Sequence, residues 1–366
     1  MTALAARRQQ APASQIGPAL ALIGTGNVGS ALLKLLAQRR LPFRLCAVAN
    51  SRLMIQDPRG IAPANVASQL QQYGAATQLD GWVAGFLAEH PGGVVIDLTA
   101  SESVAGRHLK WLRDGAQVIT ANKWAAAGDG GAQLQAWAGA GPVRYGHATT
   151  VGAGLPVLST VRELRASGDR VERIQGIFSG TLSYLFQQYR QGVALSQSLP
   201  EAVRLGYTEP DPRLDLSGID VARKLVIAGR AAGFQIDLAE VQIDSLVPPA
   251  WLEKDVAGCL DDCRVLDDHL HQVAGPPPGS QAVLCPIGEV DAHGARVGVR
   301  WLAPEHPCAN ARAGDNIIEI QSESYRELPL IIQGPGAGAQ LTASRLLGEL
   351  SSWQQPVGDC RLRGND

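Results

Sequence analysis

The chain has few cysteines, few aromatic residues and no excess of charge of either sign. Its 366 residues include six cysteines, 5% aromatic side chains and 34 acidic against 32 basic groups. The cysteines show no disulfide spacing, and Cys259 and Cys263 lack histidines at the spacing of a structural zinc site. We therefore expect free thiols in a reducing cytoplasm.

Other absences exclude several classes of partner. A net charge of −2 and the lack of a basic run exclude nucleic acid and an anionic membrane surface. No stretch of about eighteen apolar residues predicts a membrane span. Residues 1–17 lack the apolar core of a secretory signal, so we expect a disordered extension, with an organelle transit peptide as the alternative.

What the chain does contain is an alternation of apolar strands and helical patterns over residues 18–150. Such alternation indicates an α/β fold with a parallel sheet and crossover helices. One helix is predicted over residues 101–114, capped by Ser101 and stopped by Gly115. The predicted strands are Ala19–Ile23, Phe43–Ala49, Val94–Leu98, Gln117–Thr120 and Val143–Gly146.

The pattern changes after Thr150. Residues 151–333 mix helical segments with β-like runs, which predicts a second, mixed α/β domain. A helix within 334–355 follows a glycine-rich turn and is expected to return to the first domain, leaving 356–366 as a tail. Helices are predicted over 156–167, 181–192, 199–206 and 217–233, and strands over 171–178, 241–246, 282–290, 295–302 and 328–333.

A glycine motif follows the first predicted strand and opens the first helix. Its residues are Gly24, Thr25, Gly26, Asn27, Val28 and Gly29. In this setting the pattern G-x-G-x-x-G predicts a dinucleotide site, since the glycines permit a tight turn and close approach of the pyrophosphate to a helix N-terminus. The glycines alone would be weak evidence, because many tight turns use them.

The second strand ends in Asn50, Ser51 and Arg52, where NAD enzymes usually carry a carboxylate for the ribose. An arginine there can pair with a 2′-phosphate, which favours NADP(H). An ordinary surface arginine is the alternative, so NAD(H) stays possible.

The most informative segment runs from 206 to 224. Asp220 and Lys224 lie four residues apart and share a helix face, so the lysine is a candidate proton donor for a carbonyl reduction. Glu209 and Asp215 are candidates for binding a substrate amino group. A capped helix start with a solvated Asp–Lys pair is an equal alternative on spacing alone.

Further candidates lie at strand ends and at glycine-rich connections. Lys123 and Thr99 follow predicted strands at the edge where parallel sheets bind ligands, although a surface lysine is as probable at 123. Residues 150–156 form a hinge or a cation site, and residues 334–338 form a turn that approaches the cofactor.

These segments, in this order, resemble the homoserine dehydrogenase family. The resemblance covers about 19–353, and its most specific block is 206–224. It implies a Rossmann nucleotide domain, a substrate and dimerisation domain, and a homodimer. It further implies an NAD(P)-dependent oxidoreductase of threonine, methionine and isoleucine biosynthesis that interconverts L-aspartate 4-semialdehyde and L-homoserine.

The resemblance also implies residue roles. Lys224 would be the acid–base group beside Asp220, with Lys123 at the reacting centre, and Glu209 and Asp215 would bind substrate. Thr99 and Gly338 would line the cofactor. A sodium-like ion would be held by the carbonyls of Ala148, Val151, Ala153 and Leu155.

Two positions depart from the family pattern, and two other functions compete. Leu214 replaces an acid found in many members, which puts one polar contact in doubt, and Ala148 replaces an acid found in some. The length predicts a single-function form without an aspartate kinase or a C-terminal regulatory domain. The competing functions are a dehydrogenase of another small carbonyl compound and a non-catalytic nucleotide-binding protein.

Overall fold

The structure is a computed structural model that describes residues 17–39, 41–137 and 143–353. The predicted tail and all but the last residue of the predicted N-terminal extension lie outside the described residues. Within the described ranges, no helix combines the length and the apolar character needed to cross a bilayer.

Thirteen strands are present in the described part of the chain. They are β1 Ala19–Ile23, β2 Arg44–Ala49, β3 Leu53–Gln56, β4 Ala75–Ala76, β5 Val94–Asp97, β6 Gln117–Thr120, β7 Tyr145–Gly146, β8 Val171–Ile177, β9 Gln242–Ile243, β10 Val283–Asp291, β11 Gly294–Leu302, β12 Asp315–Ser322 and β13 Leu330–Pro335.

The described part of the chain also forms fifteen α-helices. They are α1 Asn27–Gln38, α2 Val66–Tyr73, α3 Leu79–Glu89, α4 Glu102–Ala105, α5 His108–Arg113, α6 Trp124–Ala127, α7 Gly131–Ala136, α8 Val157–Ala166, α9 Gly180–Arg190, α10 Leu195–Arg204, α11 Pro212–Leu216, α12 Ile219–Ala232, α13 Val256–Asp261, α14 Arg264–Ala274 and α15 Ala339–Ser352.

The first sheet has the order β4-β3-β2-β1-β5-β6-β7. Strands β2, β1, β5, β6 and β7 run parallel to one another. At one edge, β3 pairs antiparallel with β2, and β4 pairs antiparallel with β3. The central strands are buried on both faces, which is why they read as continuous apolar runs. The predicted parallel α/β sheet is confirmed.

The prediction of one helix over 101–114 was wrong. Ser101 does cap a helix, because its Oγ accepts a hydrogen bond of 3.3 Å from the amide of Val104. However, the helix stops after one turn at Gly106 and restarts as α5. Glycine disfavours helix, and α5 is held separately by His108, which lies 2.9 Å from Asp97 of β5. Gly115, with φ +90°, follows the end of α5 as expected.

The second sheet has the order β13-β12-β8-β10-β11-β9 and is antiparallel except for β9. Strand β12 was not predicted, and the strand predicted over 241–246 is reduced to β9. Ile174 of β8 and Ile318 of β12 share a buried cluster with Leu225 and Val226 of α12. This sheet therefore carries the helix on which Asp220 and Lys224 lie.

The last helix returns to the first sheet. Leu346 and Leu350 of α15 belong to the same buried cluster as Leu20 and Leu22 of β1 and Leu32 of α1. Helix α15 therefore packs against β1 and α1, and the chain passes twice between the two sheets.

The five cysteines in the described residues are buried and free, as predicted, and Cys360 lies outside that part of the chain. Burial raises the pKa of Cys263 to about 11 and that of Cys285 to about 12. Both thiols stay protonated at neutral pH and are poor nucleophiles.

Candidate active site

The glycine motif forms a turn between β1 and α1. Gly24 adopts φ +101° and donates its amide to the carbonyl of Ala49 at 2.8 Å. A Cβ on Gly29 would lie 2.0 Å from the carbonyl oxygen of Gly24, whereas one on Gly26 would meet nothing within 4 Å. Gly24 and Gly29 are thus required by the turn itself, and Gly26 leaves space in front of the N-terminus of α1.

The end of β2 is a tight turn built by Asn50. Its Oδ1 accepts hydrogen bonds from the amides of Arg52 and Leu53, both at 2.8 Å. This turn leaves the side chains of Ser51 and Arg52 exposed. The Arg52 guanidinium is therefore free to reach an anion outside the edge of the sheet.

A buried aspartate, which sequence reasoning missed, organises the carboxyl ends of β5 and β6. Asp97 Oδ1 accepts hydrogen bonds from Thr99 N at 2.9 Å and from Thr99 Oγ1 at 2.8 Å. Its Oδ2 accepts from Asn122 Nδ2 at 3.0 Å and contacts His108 Nε2 at 2.9 Å. Asp97 consequently fixes Thr99 and the backbone just before Lys123.

Lys123, Asp220 and Lys224 come together between the two sheets. Lys224 Nζ lies 2.8 Å from Asp220 Oδ2, and Lys123 Nζ lies 3.3 Å from Asp220 Oδ1. Lys224 also donates a hydrogen bond to the carbonyl of Phe178 at 2.7 Å. Its side chain is only 11% exposed, so the alternative of a solvated surface pair does not describe this lysine.

The cluster contains more positive than negative groups, because two ammonium groups face one carboxylate. Desolvation in the cleft acts to raise the pKa of Asp220, but the charges of Lys224 and Lys123 outweigh it and hold that pKa well below its usual range. The carboxylate therefore stays ionised and keeps both lysines in place.

Asp215 lies next to this cluster and is held by the preceding loop. Its Oδ1 is 2.8 Å from the hydroxyl of Thr181, and its Oδ2 accepts the amide of Glu209 at 2.8 Å. Burial raises the pKa of Asp215, and the two hydrogen bonds act against this effect. Glu209 itself is exposed at the mouth of the loop.

The rest of the loop is structural. Asp211 caps α11 and pairs with Arg213, whose Nη1 donates to the carbonyls of Trp251 at 3.0 Å and Lys254 at 2.7 Å. Leu214, the departure from the family pattern, is 54% exposed. The loop keeps its shape without a polar group at that position.

The connection over 148–155 has an unusual backbone. Gly152 and Ala153 both adopt positive φ, +75° and +51°, and Ala153 is the only non-glycine residue of the described chain to do so. The amide of Ala148 donates to Glu349 Oε2 at 3.1 Å. Among the described residues, no hydrogen bond reaches the carbonyls of Val151, Ala153 or Leu155, so these oxygens suit a hard cation.

Asn316, on β12, was also missed by sequence reasoning. It is completely buried, and its Nδ2 donates to the carbonyl of Phe178 at 3.2 Å. Its amide lies against Gly336 in the turn that leads to Gly338 and α15. No sequence signal could have found it, because its hydrogen-bond partner lies 138 residues away in the chain.

A second cluster of possible metal ligands contains His306, Cys308 and Glu319. Here His306 Nδ1 accepts the amide of Cys308 at 3.2 Å, and Glu319 accepts from Gln175 at 2.8 Å and from the Cys308 thiol at 3.8 Å. These internal hydrogen bonds account for the cluster without an ion.

Two family models match the chain, one over each part of it. A family model described as homoserine dehydrogenase matches residues 156–350, and one described as homoserine dehydrogenase, NAD binding domain, matches residues 24–145. The homoserine dehydrogenase of Saccharomyces cerevisiae is 36% identical, over 90% of this chain and 96% of the yeast protein. The chain belongs to the homoserine dehydrogenase family.

Other relatives and solved structures agree with this assignment. The bifunctional aspartokinase/homoserine dehydrogenase 2, chloroplastic, of Arabidopsis thaliana is 36% identical over 91% of this chain, which spans only 38% of that protein. A hyperthermophilic archaeal homoserine dehydrogenase in complex with NADPH has a TM-score of 0.70 at 18% identity, covering 93% of this chain and 98% of that one. The archaeal likeness shows the fold.

Proposed function

We propose that this protein interconverts L-aspartate 4-semialdehyde and L-homoserine by hydride transfer, in threonine, methionine and isoleucine biosynthesis. The observation that carries the proposal is the cluster of Lys224, Asp220 and Lys123 between the nucleotide-binding sheet and the second sheet. A buried ammonium group beside a carboxylate that stays ionised at neutral pH is suited to proton transfer at a carbonyl oxygen.

The proton step follows from this geometry. Bound nicotinamide would supply or accept the hydride at the carbonyl carbon. Lys224 Nζ delivers the proton to the oxygen that becomes the hydroxyl, and removes it in the reverse direction. Asp220 holds the ammonium in place through the 2.8 Å contact, and Lys123, 3.3 Å from the same carboxylate, adds positive charge next to the oxygen.

Glu209 and Asp215 are proposed to bind the amino group of the substrate. Asp215 supports this role because its carboxylate is partly buried next to the cluster and is oriented by Thr181 and by the amide of Glu209. Glu209 is exposed and can approach a ligand from the loop. A carboxylate and an ammonium ion form a charge-assisted hydrogen bond that orients the substrate.

The cofactor is proposed to be NADP(H), with NAD(H) also accepted. The exposed Arg52 at the end of β2 supports this preference, as does the absence of a carboxylate at that turn. The archaeal relative is described in complex with NADPH. The pyrophosphate is proposed to bind over the motif Gly24–Gly29, the backbone and side chains at 50–52 to contact the ribose end, and Thr99, Lys123 and Gly338 to line the nicotinamide end.

A sodium-like ion is proposed at the connection over 148–155. The carbonyls of Val151, Ala153 and Leu155, which accept no hydrogen bond in the described chain, would hold it together with Ala148. Its contribution would be structural, since it would hold the connection between the two sheets in one conformation.

The protein is further proposed to be a cytoplasmic homodimer. Strand β13 is an edge of the second sheet and carries a half-exposed Ile331, preceded by Leu328 at 83% exposure. Exposed apolar side chains next to an open sheet edge favour association. The proposed domains are 18–150 for the nucleotide, 151–333 for substrate and dimerisation, and 334–355 for the returning helix.

The test is a spectrophotometric assay with purified protein, aspartate 4-semialdehyde and either NADPH or NADH. Loss of absorbance at the reduced-nicotinamide band, restored by homoserine with the oxidised cofactor, is the expected result. A panel of other small aldehydes is the control for specificity. Cofactor binding by fluorescence without turnover of any aldehyde would contradict the proposal and leave a nucleotide-binding protein.

A further inference from the structure

Lys224 shares its backbone acceptor with a second buried donor. The carbonyl of Phe178 accepts a hydrogen bond from Lys224 Nζ at 2.7 Å and another from Asn316 Nδ2 at 3.2 Å. A carbonyl oxygen has two lone pairs, and these two donors can use both. The position of this carbonyl, and through it the position of the ammonium group, therefore depends on the Asn316 amide.

The same amide supports the turn that follows β13. A Cβ placed on Gly336 would lie 2.0 to 2.2 Å from the Cγ, Oδ1 and Nδ2 atoms of Asn316. The amide thus lies directly against the backbone of this glycine. Asn316 is also paired with Gly334, the penultimate residue of β13, in the ladder between β12 and β13, so it contacts both the end of the strand and the turn that follows.

Asn316 is poorly suited to be a residue selected for stability alone. It is completely buried, and its Oδ1 has no hydrogen-bond partner in the described structure. Burying an unpartnered acceptor costs free energy, and an apolar side chain of similar size would avoid that cost. The retained amide therefore points to a role in the site.

We infer that Asn316 is a positioning residue that couples Lys224 to the Gly334–Gly338 turn. This inference rests on the proposed function. The amide holds the Phe178 carbonyl that orients the Lys224 ammonium, and it seats Gly336 at the turn from which α15 begins. One buried side chain thereby sets the distance between the proton donor and the turn proposed to line the cofactor.

The experiment compares Asn316→Leu and Gly336→Ala with two matched controls. Leucine keeps the volume but removes the donor, and alanine at 336 forces the amide away. Asn310→Ala removes an exposed asparagine that also donates to a backbone carbonyl, that of Pro304 at 2.7 Å. Gly348→Ala adds a Cβ where nothing lies within 4 Å.

Both test variants should lower kcat by about 10-fold to 100-fold, as expected when a reacting group is displaced by up to about 1 Å. The KM values for semialdehyde and NADPH should change less than about threefold. The primary isotope effect with 4-deuterated NADPH should increase, because hydride transfer becomes rate-limiting. Both controls should match the wild type in all three measurements.

A kcat that is unchanged in Asn316→Leu, or that falls only in proportion to thermal stability, would overturn the inference. Hydrogen exchange of residues 334–338 gives a second readout that needs no turnover. Exchange should become faster in Asn316→Leu and not in Asn310→Ala, and equal exchange in both would also overturn it. If the wild-type protein has no activity, the proposed function is wrong. The hydrogen-exchange comparison would still test whether Asn316 holds the turn.

Discussion

The two sides of the proposed site offer different parts of the chain to their ligands. On the nucleotide side, the groups offered are backbone amides at the turn Gly24–Gly29, and the charged residue proposed to contact the cofactor, Arg52, is exposed. On the substrate side, the groups are the side chains of Lys123, Asp220 and Lys224, with Lys224 buried. The backbone site should therefore lose affinity for the cofactor when a side chain fills the space in front of its amides. The side-chain site should lose catalytic rate when one of its charged groups is removed.

The largest expected effect lies on the substrate side. Lys224→Ala should lower kcat by about 10²-fold to 10⁴-fold, because the proposed proton donor is lost, while the Kd for NADPH measured by fluorescence stays the same. Lys110 forms a pair with Asp114, also four residues apart, but its side chain is 62% exposed. Lys110→Ala is the matched control and should leave kcat unchanged; equal turnover in the two variants would refute the role of Lys224.

The next largest effect is on folding and concerns the nucleotide side. Gly29→Ala should lower the free energy of unfolding by about 1–3 kcal/mol, because its Cβ would approach the carbonyl oxygen of Gly24 to 2.0 Å. Chemical denaturation measures this loss. Gly348→Ala, in open space on α15, should show none, and a Gly29→Ala protein of wild-type stability would mean that the turn can move away.

A third variant separates affinity from folding. Gly26→Ala places a Cβ in open space, so the unfolding free energy should be unchanged. The added methyl occupies the space proposed for the pyrophosphate, and the Kd for NADPH should rise about 10-fold or more, which is about 1.4 kcal/mol. If NADPH binds Gly26→Ala as tightly as the wild type, the backbone site lies elsewhere.

The charge of Asp220 should also appear in the pH dependence of stability. Its folded pKa is depressed, so the ionised form stabilises the folded state above the unfolded pKa, and this contribution is lost as pH falls through the folded pKa. Asp220→Asn should therefore cost about 1 kcal/mol at pH 7, limited by solvent screening at a side chain that is 45% exposed.

Urea denaturation from pH 7 downward checks this prediction. The difference between wild type and Asp220→Asn should shrink in acid. Asp114→Asn removes a carboxylate that pairs with the 62% exposed Lys110, so it gives the comparison and should differ less from wild type at pH 7. A difference for Asp220→Asn that grows as the pH falls would have the wrong sign.

The smallest effect is expected for Arg52→Ala. Because the guanidinium is exposed, its pairing with a 2′-phosphate should contribute up to about 1 kcal/mol, so the KM for NADPH should rise about fivefold. The KM for NADH, measured in the same variant, is the internal control and should not change. Equal changes for both cofactors would show that Arg52 does not contact the 2′-phosphate.

Features that depend on residues close together in the sequence were predictable. Strands β1 and β6 have the predicted bounds, since a buried parallel strand is a short apolar run flanked by turn residues. The glycine turn was recognised because its pattern is local, although only Gly24 and Gly29 are required sterically by the turn itself.

Features that depend on long-range contacts were missed. Strand β12 contains the buried polar residues Asn316 and Glu319, which break the apolar pattern of a buried strand. Asp97 was read only as part of the strand predicted over Val94–Leu98, although its partners Thr99, His108 and Asn122 make it a structural centre. Spacing could pair Asp220 with Lys224, but only the fold brings Lys123 to the same carboxylate.

The double passage of the chain between the sheets has a mechanical consequence. The two crossing segments touch, since a Cβ on Gly154 would lie 3.2 Å from Leu341 and one on Gly334 would lie 3.1 Å from Leu155. The two connections run side by side, and residues of both sheets also share one buried apolar cluster. A relative movement of the two sheets would therefore have to bend both connections together and break apolar contacts of that cluster.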